Sequence, residues 1–146
     1  MIKQDITYQD KLNELRLDLS HPISSDTNFV LVEGESDIKV FRKLFNLEKC
    51  KVEYIPGGKA KLEDCVSELI QIHTLLIGIR DADFIHLNAE EYNKPNMFLT
   101  DFHDMEMTML SEIEVLKSLI LEYTDLVSEE ECILFKNNVV NTIDTL

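Results

Sequence analysis

Acidic side chains follow three apolar segments of this 146-residue chain, and their oxygens could hold a cation. The three combinations are Asn28–Val32 (NFVLV) with Glu33, Thr74–Ile79 (TLLIGI) with Asp81 and Asp83, and Asn96–Thr100 (NMFLT) with Asp101. The first of these runs, NFVLV, predicts a strand that is buried on both faces, as in a parallel sheet, and the other two predict further short strands. Ligands of open parallel sheets bind beyond the carboxyl ends of the strands, so we expect the acids to share one crevice.

The spacing of these acids predicts a metal site. Asp81 and Asp83 are two residues apart, so on an extended chain they face the same side, about 6.6 Å apart. Several carboxylates in one crevice need compensation, and an all-oxygen set without His or Cys favours Mg²⁺ or Mn²⁺. The alternative is that some of the 28 acidic residues follow strands by chance and only cap turns and helices.

Helical stripes alternate with the strands. We expect a helix over Gln9–Leu19, a second one capped by Ser36, and a third that ends near His73. Lys51–Ile55 (KVEYI) alternates in polarity, which indicates a peripheral strand. The chain is helical in pattern from His103 onward, and the last helix begins at a capping box of Ser128 and Glu131. The order predicts an α/β fold: a four-stranded, mainly parallel sheet flanked by helices, with additional C-terminal helices.

Composition limits the partners. With 28 acidic against 14 basic residues the net charge is -14, so free nucleic acid and anionic membranes are repelled. A nucleic-acid role therefore needs a local basic patch, a partner protein or bound cations. No apolar run approaches 18 residues, and the N-terminus lacks the apolar segment of a signal peptide. Three cysteines without CxxC spacing fit a reducing compartment and argue against zinc, so we expect a cytoplasmic protein without membrane contact.

Two of these segments together resemble a known signature. Glu33-Gly34-Glu35-Ser36-Asp37 after an apolar strand is similar to the E-G-x-x-D motif of TOPRIM domains, and Asp81-Ala82-Asp83 matches its companion D-x-D. Gly57-Gly58-Lys59 and the stretch from Thr100 to Glu106 further resemble a TOPRIM subgroup allied to OLD-family nucleases and to the TOPRIM nuclease component of PARIS anti-phage defence. Arg80 and Ala82 depart from the residues expected there in this subgroup.

The resemblance implies a division of the chain and a set of roles. The resemblance covers residues 28–111, the TOPRIM-like domain. The helical pattern adds a lead-in over residues 1–27 and C-terminal helices over 112–146, which we expect to be the start of a longer helical region. Glu33 matches the general acid/base or metal ligand, and Asp81 and Asp83 match the metal-holding aspartates. Asp37 matches the fourth acid, and its alternative role is to support the first turn of a helix.

Further candidates surround these four. Asp101, Asp104, Glu106 and His103 are additional acidic or supporting residues, with Glu106 favoured to face the crevice; their alternative is a solvated helix start. Gly57, Gly58 and Lys59 are candidates for a phosphate contact, or form a plain strand-to-helix turn. Arg80 is either an ion-pair partner of the aspartates or another phosphate contact.

These patterns and the resemblance predict a Mg²⁺-dependent nuclease that hydrolyses phosphodiester bonds of DNA or RNA. The resemblance adds a setting, an effector of anti-phage defence that a partner protein keeps inactive. The chain has no ATPase segment, so any ATPase must be a separate chain, and a homodimer is the other expected assembly. One alternative is a non-catalytic module that binds metal or nucleotide. A receiver-type phosphoacceptor is a third, for which no Lys at a later strand end can be assigned.

Overall fold

The computed structural model describes residues 6–112 and the positions 114, 115, 118, 130, 131, 133, 134, 137 and 138. The chain divides into two compact units, Met1–His103 and Asp104–Leu146. The elements of the first unit are α1 (Tyr8–Ser20), a short 3-10 helix (Pro22–Ser24), β1 (Asn28–Val32), α2 (Glu35–Leu44), β2 (Cys50–Tyr54), α3 (Gly58–Leu69), β3 (Leu76–Arg80) and β4 (Met97–Leu99). In the second unit, α4 spans Met105–Ser111.

The four strands form one parallel sheet in the order β2-β1-β3-β4. Val32 pairs with Tyr54 on one side and with Ile79 on the other, and Arg80 pairs with Leu99. The carboxyl ends of β1, β3 and β4 therefore lie side by side at one edge of the sheet. This confirms the predicted α/β fold with a four-stranded parallel sheet flanked by helices, and β2 is peripheral as its alternating pattern predicted.

The main core lies between the sheet and the pair α1 and α3. Because strand side chains alternate between faces, β1 sends Phe29 and Leu31 into this core. The remaining members are Leu12, Leu15, Leu19, Ile55, Leu62, Cys65, Val66, Leu69, Leu76 and Met97. Full burial of each large side chain stabilises the fold by about 1.5–3 kcal/mol. On the opposite face α2 packs against β1 and β2, so β1 is covered on both sides, as its uniformly apolar sequence predicts.

Most element bounds differ from the sequence prediction by one or two residues, and the start of α2 and the bounds of β3 have a clear physical reason. Ser36 is not the N-cap of α2; the helix starts at Glu35 after Gly34, whose N–H donates to Asp37 Oδ2 at 2.9 Å. The third strand, β3, starts two residues later and ends one residue later than predicted. Its last residue, Arg80, belongs to the strand because it pairs with Leu99 of β4. Its burial alternates, so β3 is not enclosed on both faces along its whole length.

The second unit begins with the predicted C-terminal helical pattern. The helix expected from His103 starts at Met105, where Asp104 Oδ1 accepts from the Met107 N–H at 2.7 Å. The predicted capping box at Ser128 lies outside the described residues. Among the described helices, none has the length and apolar character that crossing a bilayer requires.

Candidate active site at the carboxyl edge of the sheet

Glu33 follows β1 directly and is half-buried. Its Oε2 atom is buried and has no hydrogen-bond partner among the described residues. A buried polar atom left in this way costs about 1–3 kcal/mol, and such an atom in a native fold calls for a functional explanation. A hydrogen-bond donor or a cation at this position would satisfy the oxygen.

Two glycines start α3 beside this carboxylate. Gly57 has φ 107° and Gly58 has φ 75°, a left-handed region that side chains other than glycine rarely adopt. A Cβ built on Gly58 would lie 4.0 Å from Glu33 Oε1, so the turn and the acid are neighbours. No side chain in the described ranges caps this end of α3. The turn also orients the next residue, Lys59, toward the end of β3.

Asp83 lies beyond β3 in a turn and has φ 49°. Its N–H donates to the His103 carbonyl at 2.7 Å, which fixes this turn against the segment after β4. The extended chain assumed for Asp81-x-Asp83 is therefore wrong, because β3 ends at Arg80 and Asp83 takes a left-handed backbone conformation.

The carboxylate of Asp83 is neutralised by two cations. Lys59 Nζ lies 2.5 Å from Oδ2, and Arg80 Nη2 lies 2.7 Å from the same oxygen. The hydrogen bond from Lys59 is the main cause that lowers the pKa of Asp83 below its ordinary value, and the charge of Arg80 adds to it. Part of the positive charge that the sequence analysis expected from a metal ion is thus supplied by basic side chains.

Arg80 is an ion-pair partner rather than a free phosphate contact. Its side chain is only 8% exposed, with Nη1 donating to Glu63 Oε1 at 2.9 Å and Nε to the Asp81 carbonyl at 3.0 Å. Together with the bond to Asp83, each nitrogen of the guanidinium donates to an oxygen. Arg80 therefore holds the turn from Asp81 to Asp83 onto α3.

Glu63 on α3 lies at the centre of this network, and the sequence analysis did not identify it as a site residue. Besides Arg80, it accepts from Lys94 at 2.5 Å and from the Tyr92 hydroxyl at 2.9 Å. Burial alone would raise the pKa of Glu63, but the hydrogen bonds from Lys94, Arg80 and Tyr92 lower it below its ordinary value. Burial, followed by the bond to Glu63, raises the pKa of Tyr92. The partners lie 17 to 31 residues away along the chain, so no local motif indicates them.

Thr100, just beyond β4, joins the two acidic turns. Its buried hydroxyl accepts from the Ala82 N–H at 3.0 Å and donates to the Phe102 carbonyl at 2.7 Å. His86 Nε2 donates to the Thr100 carbonyl at 2.8 Å. These bonds hold the backbone between Asp81 and Asp83, and neither Thr100 nor His86 was predicted to contribute.

The remaining predicted residues take different positions. Asp37 caps α2 through the Gly34 N–H and also accepts from the Ser36 hydroxyl at 3.2 Å, so the helix-supporting alternative describes its contacts. Asp101 is exposed after β4, and the ring of His103 packs edge-on to Phe84 with centroids 4.8 Å apart.

Asp104 and Glu106 belong to the second unit. Asp104 caps α4, and Glu106 is exposed in the first turn of that helix. Both positions match the solvated helix start that was the alternative for these residues.

The donor chemistry at this edge fits a hard divalent cation. The acidic side chains that follow β1 and β3 offer oxygen ligands, and Glu33 Oε2 has no partner in the described part of the chain. In the part of the chain that the structure describes, no group of three or more His, Cys, Asp or Glu side chains is already arranged around a common point. A cation at this edge would therefore gain Glu33 Oε2 as a ligand, and at Oδ2 of Asp83 it would compete with Lys59 and Arg80.

Similarity to known proteins does not add to this description of the site. Comparisons with protein-family models, curated proteins and solved structures return no match to this chain. The likeness to TOPRIM domains thus depends on the motif residues Glu33, Asp37, Asp81 and Asp83 and on the parallel sheet that carries them.

Proposed function

We propose that this protein is a Mg²⁺-dependent phosphodiester hydrolase of the TOPRIM type, with its site at the carboxyl edge of β1 and β3. The observation that carries the proposal is the buried, unpartnered Oε2 of Glu33. It lies at the point where parallel sheets bind their ligands. A fold retains a buried carboxylate oxygen without a donor at a cost in stability, which a ligand at this site explains.

The chain's own residues have distinct tasks in this proposal. Glu33 and Asp81 bind the cation, which would neutralise charge on the phosphate and lower the pKa of a water nucleophile. Arg80 holds the backbone of Asp81 and the carboxylate of Asp83 in place, and Glu63 fixes Arg80 in turn. Among the described residues no side chain caps the helix start at Gly57-Gly58, and a phosphate oxygen would accept from the N–H groups of this turn.

The negative net charge of the chain indicates that substrate binding needs a partner. At a net charge of -14, the protein attracts nucleic acid weakly by itself. The basic side chains Lys59, Arg80 and Lys94 near the site are all engaged with acids. We therefore propose that a partner protein or a second copy supplies the positive surface for the substrate, in agreement with the partner-controlled effector that the resemblance implies.

Cleavage by the full chain tests the proposal. Single-stranded and duplex DNA and RNA are incubated with the protein in Mg²⁺ or Mn²⁺, and we expect Glu33→Gln and Asp81→Asn to abolish product formation. The matched controls are Glu48→Gln and Asp26→Asn, exposed acids that precede β2 and β1 at the opposite edge of the sheet. Equal cleavage by all four variants would show that the activity comes from elsewhere.

The non-catalytic alternative has one observation in its favour. Asp83 is already neutralised by Lys59 and Arg80, which leaves fewer free carboxylates than two-metal hydrolysis uses. In that case the wild-type protein binds Mn²⁺, Glu33→Gln abolishes the binding, and no nucleic acid is cut in any condition. Calorimetry beside the cleavage assay separates the two functions.

A further inference from the structure

We infer that the end of α2 is a docking surface for an acidic segment of a partner protein, which places a large apolar side chain in a pocket beside this helix. The surface lies at the amino edge of the sheet, opposite the edge that carries Glu33, so the inference does not depend on the proposed function. Basic side chains without an acidic partner and an apolar pocket occur together at this place, and they determine the chemistry of the occupant.

Unpaired basic side chains are concentrated in one short segment of this acidic chain. In the ranges that the structure describes, the basic residues without an ion pair are Lys39, Arg42, Lys43 and Lys49. Every other basic side chain there pairs with a carboxylate: Lys11, Arg16, Lys51, Lys59, Lys61, Arg80 and Lys94. Because the net charge is -14, cations that remain unpaired at a single place create a local positive field that attracts an acidic partner.

Three of these cations form an exposed stripe on the side of α2 that faces β2. Lys39 lies three residues before Arg42 and four before Lys43, a spacing that places them on one side of a helix. Arg42 Nη2 donates to the Val52 carbonyl at 3.2 Å, so this side of α2 borders the outermost strand of the sheet. Arg42 and Lys43 also stabilise the dipole of α2 from its last turn, but Lys39 and Lys49 lie outside that turn.

An apolar pocket of about 420 Å³ lies between the end of α2 and the start of β3. Its lining includes Phe45 after α2, Val30 of β1, and Leu75 and Ile77 around the start of β3. Lys49 lines the pocket as well, so the pocket borders the segment that carries the unpaired cations. A volume of this size is in the range of ligand pockets, which are mainly apolar with a few polar groups.

Exposed leucines between the cations distinguish a protein segment from a nucleic acid. Leu44 is 69% exposed and Leu47 is 53% exposed, and both lie between Lys43 and Lys49 in the sequence. A phosphate backbone gains nothing from apolar side chains, and the net charge of -14 repels a long polyanion. A short peptide segment with carboxylates and a large apolar side chain complements the cations, the leucines and the pocket together.

Binding of labelled peptides to the full chain, followed by fluorescence anisotropy, tests the surface. The probes are synthetic peptides rich in Asp and Glu with a central Leu, Phe or Trp, and a matched peptide with Ser at the centre, which should bind more weakly. We expect Lys43→Glu to weaken binding of the apolar peptides about 3- to 10-fold, because it replaces an attraction by a repulsion. Lys61→Glu, an equal change of charge on α3, should bind as the wild type does.

A second pair of variants tests the pocket. Leu75→Gln, in the lining, should weaken binding of the apolar peptides about 3- to 10-fold and leave the Ser peptide unchanged. Ile72→Gln, which is also exposed but lies outside the lining, should have no effect. In the unsubstituted protein, bound peptide should also slow the alkylation of Cys50, another residue of the lining, by N-ethylmaleimide, as measured by mass spectrometry of proteolytic fragments.

Several results would overturn the inference. Absence of peptide binding from the wild type, or equal binding by Lys43→Glu and Lys61→Glu, would show that the cations do not recognise an acidic segment. An oligonucleotide that binds more tightly than the peptides and depends on Lys43 would identify a nucleic-acid contact instead. A wild-type dimer that becomes a monomer in Lys43→Glu, measured by light scattering, would identify a second copy as the occupant. Each of these outcomes leaves the cleavage assay of the proposed function unaffected.

Discussion

Oε1 of Glu33 lies 4.0 Å from the place where a Cβ on Gly58 would be. The acid that ends β1 and the glycine that begins α3 are therefore in contact range across two elements that are 25 residues apart in the sequence. This neighbourhood places a carboxylate at a helix start that no described side chain caps, while its other oxygen, Oε2, is buried without a partner among the described residues. An unsatisfied oxygen at this place lowers the free energy of unfolding.

That arrangement predicts a gain in stability when the acid is removed. We expect Glu33→Met to raise the free energy of unfolding by about 0.5–2 kcal/mol, because an apolar side chain of similar length does not leave an unsatisfied oxygen. Urea denaturation monitored by circular dichroism measures the change, and Glu48→Met, at an exposed position, is the control. A loss of stability in Glu33→Met would mean that the carboxylate is already satisfied.

Asp37 should behave as a structural cap. Its Oδ2 accepts from the Gly34 N–H, so Asp37→Ala removes the cap of α2 and should lower the free energy of unfolding by about 0.5–2 kcal/mol. Asp37→Asn retains an acceptor and should recover most of this loss. Mn²⁺ affinity should change less than twofold in either variant, and a larger change would identify Asp37 as a ligand after all.

The network around Glu63 predicts a specific dependence on pH. Because the pKa of Glu63 is lowered from the ordinary value of 4.5, its stabilising effect is complete above that pH and is lost as the pH falls through the lower, folded-state value. Glu63→Gln should reduce the free energy of unfolding by about 1–3 kcal/mol at pH 7, and this difference should shrink below about pH 4. Urea titrations of both proteins between pH 3 and pH 7 measure it. A difference that stays constant across this range would contradict the role of the charged form.

Gly78 has no side chain, and this allows α3 and β4 to come close to the centre of the sheet. An added Cβ would overlap Met97 Sδ and come within 2.7 Å of Val66 Cγ2. We expect Gly78→Ala to destabilise the protein by about 1–3 kcal/mol through overpacking. In a double-mutant cycle, Val66→Ala should relieve part of that effect, so that the double variant is more stable than the sum of the single changes predicts.

The sequence predicted the fold better than the side-chain contacts of the site. Apolar runs such as Asn28–Val32 give buried strands, and the alternating pattern of KVEYI placed β2 at the edge, because burial acts on local sequence patterns. The turn after β3 could not be obtained in this way. Asp83 leaves the extended conformation because its N–H bonds to His103, 20 residues later, and this contact has no local signal.

The charge network shows the same limit. The sequence offered two roles for Arg80, and its partner Glu63 decides between them from a helix that precedes β3. Glu63, Tyr92 and Lys94 come together only when α3 and the loop before β4 meet the end of the sheet. Spacing rules describe neighbours within an element, whereas these side chains are neighbours only after folding.

The hydrogen bonds that fix the turn after β3 also set the time at which the site forms during synthesis. Ala82 and Asp83 depend on Thr100 and His103, which the ribosome adds about twenty residues later. A nascent chain that has emerged only as far as β3 lacks the groups that hold the backbone of Ala82 and Asp83. This turn of the growing polypeptide therefore takes its final form only after the fourth strand has been translated.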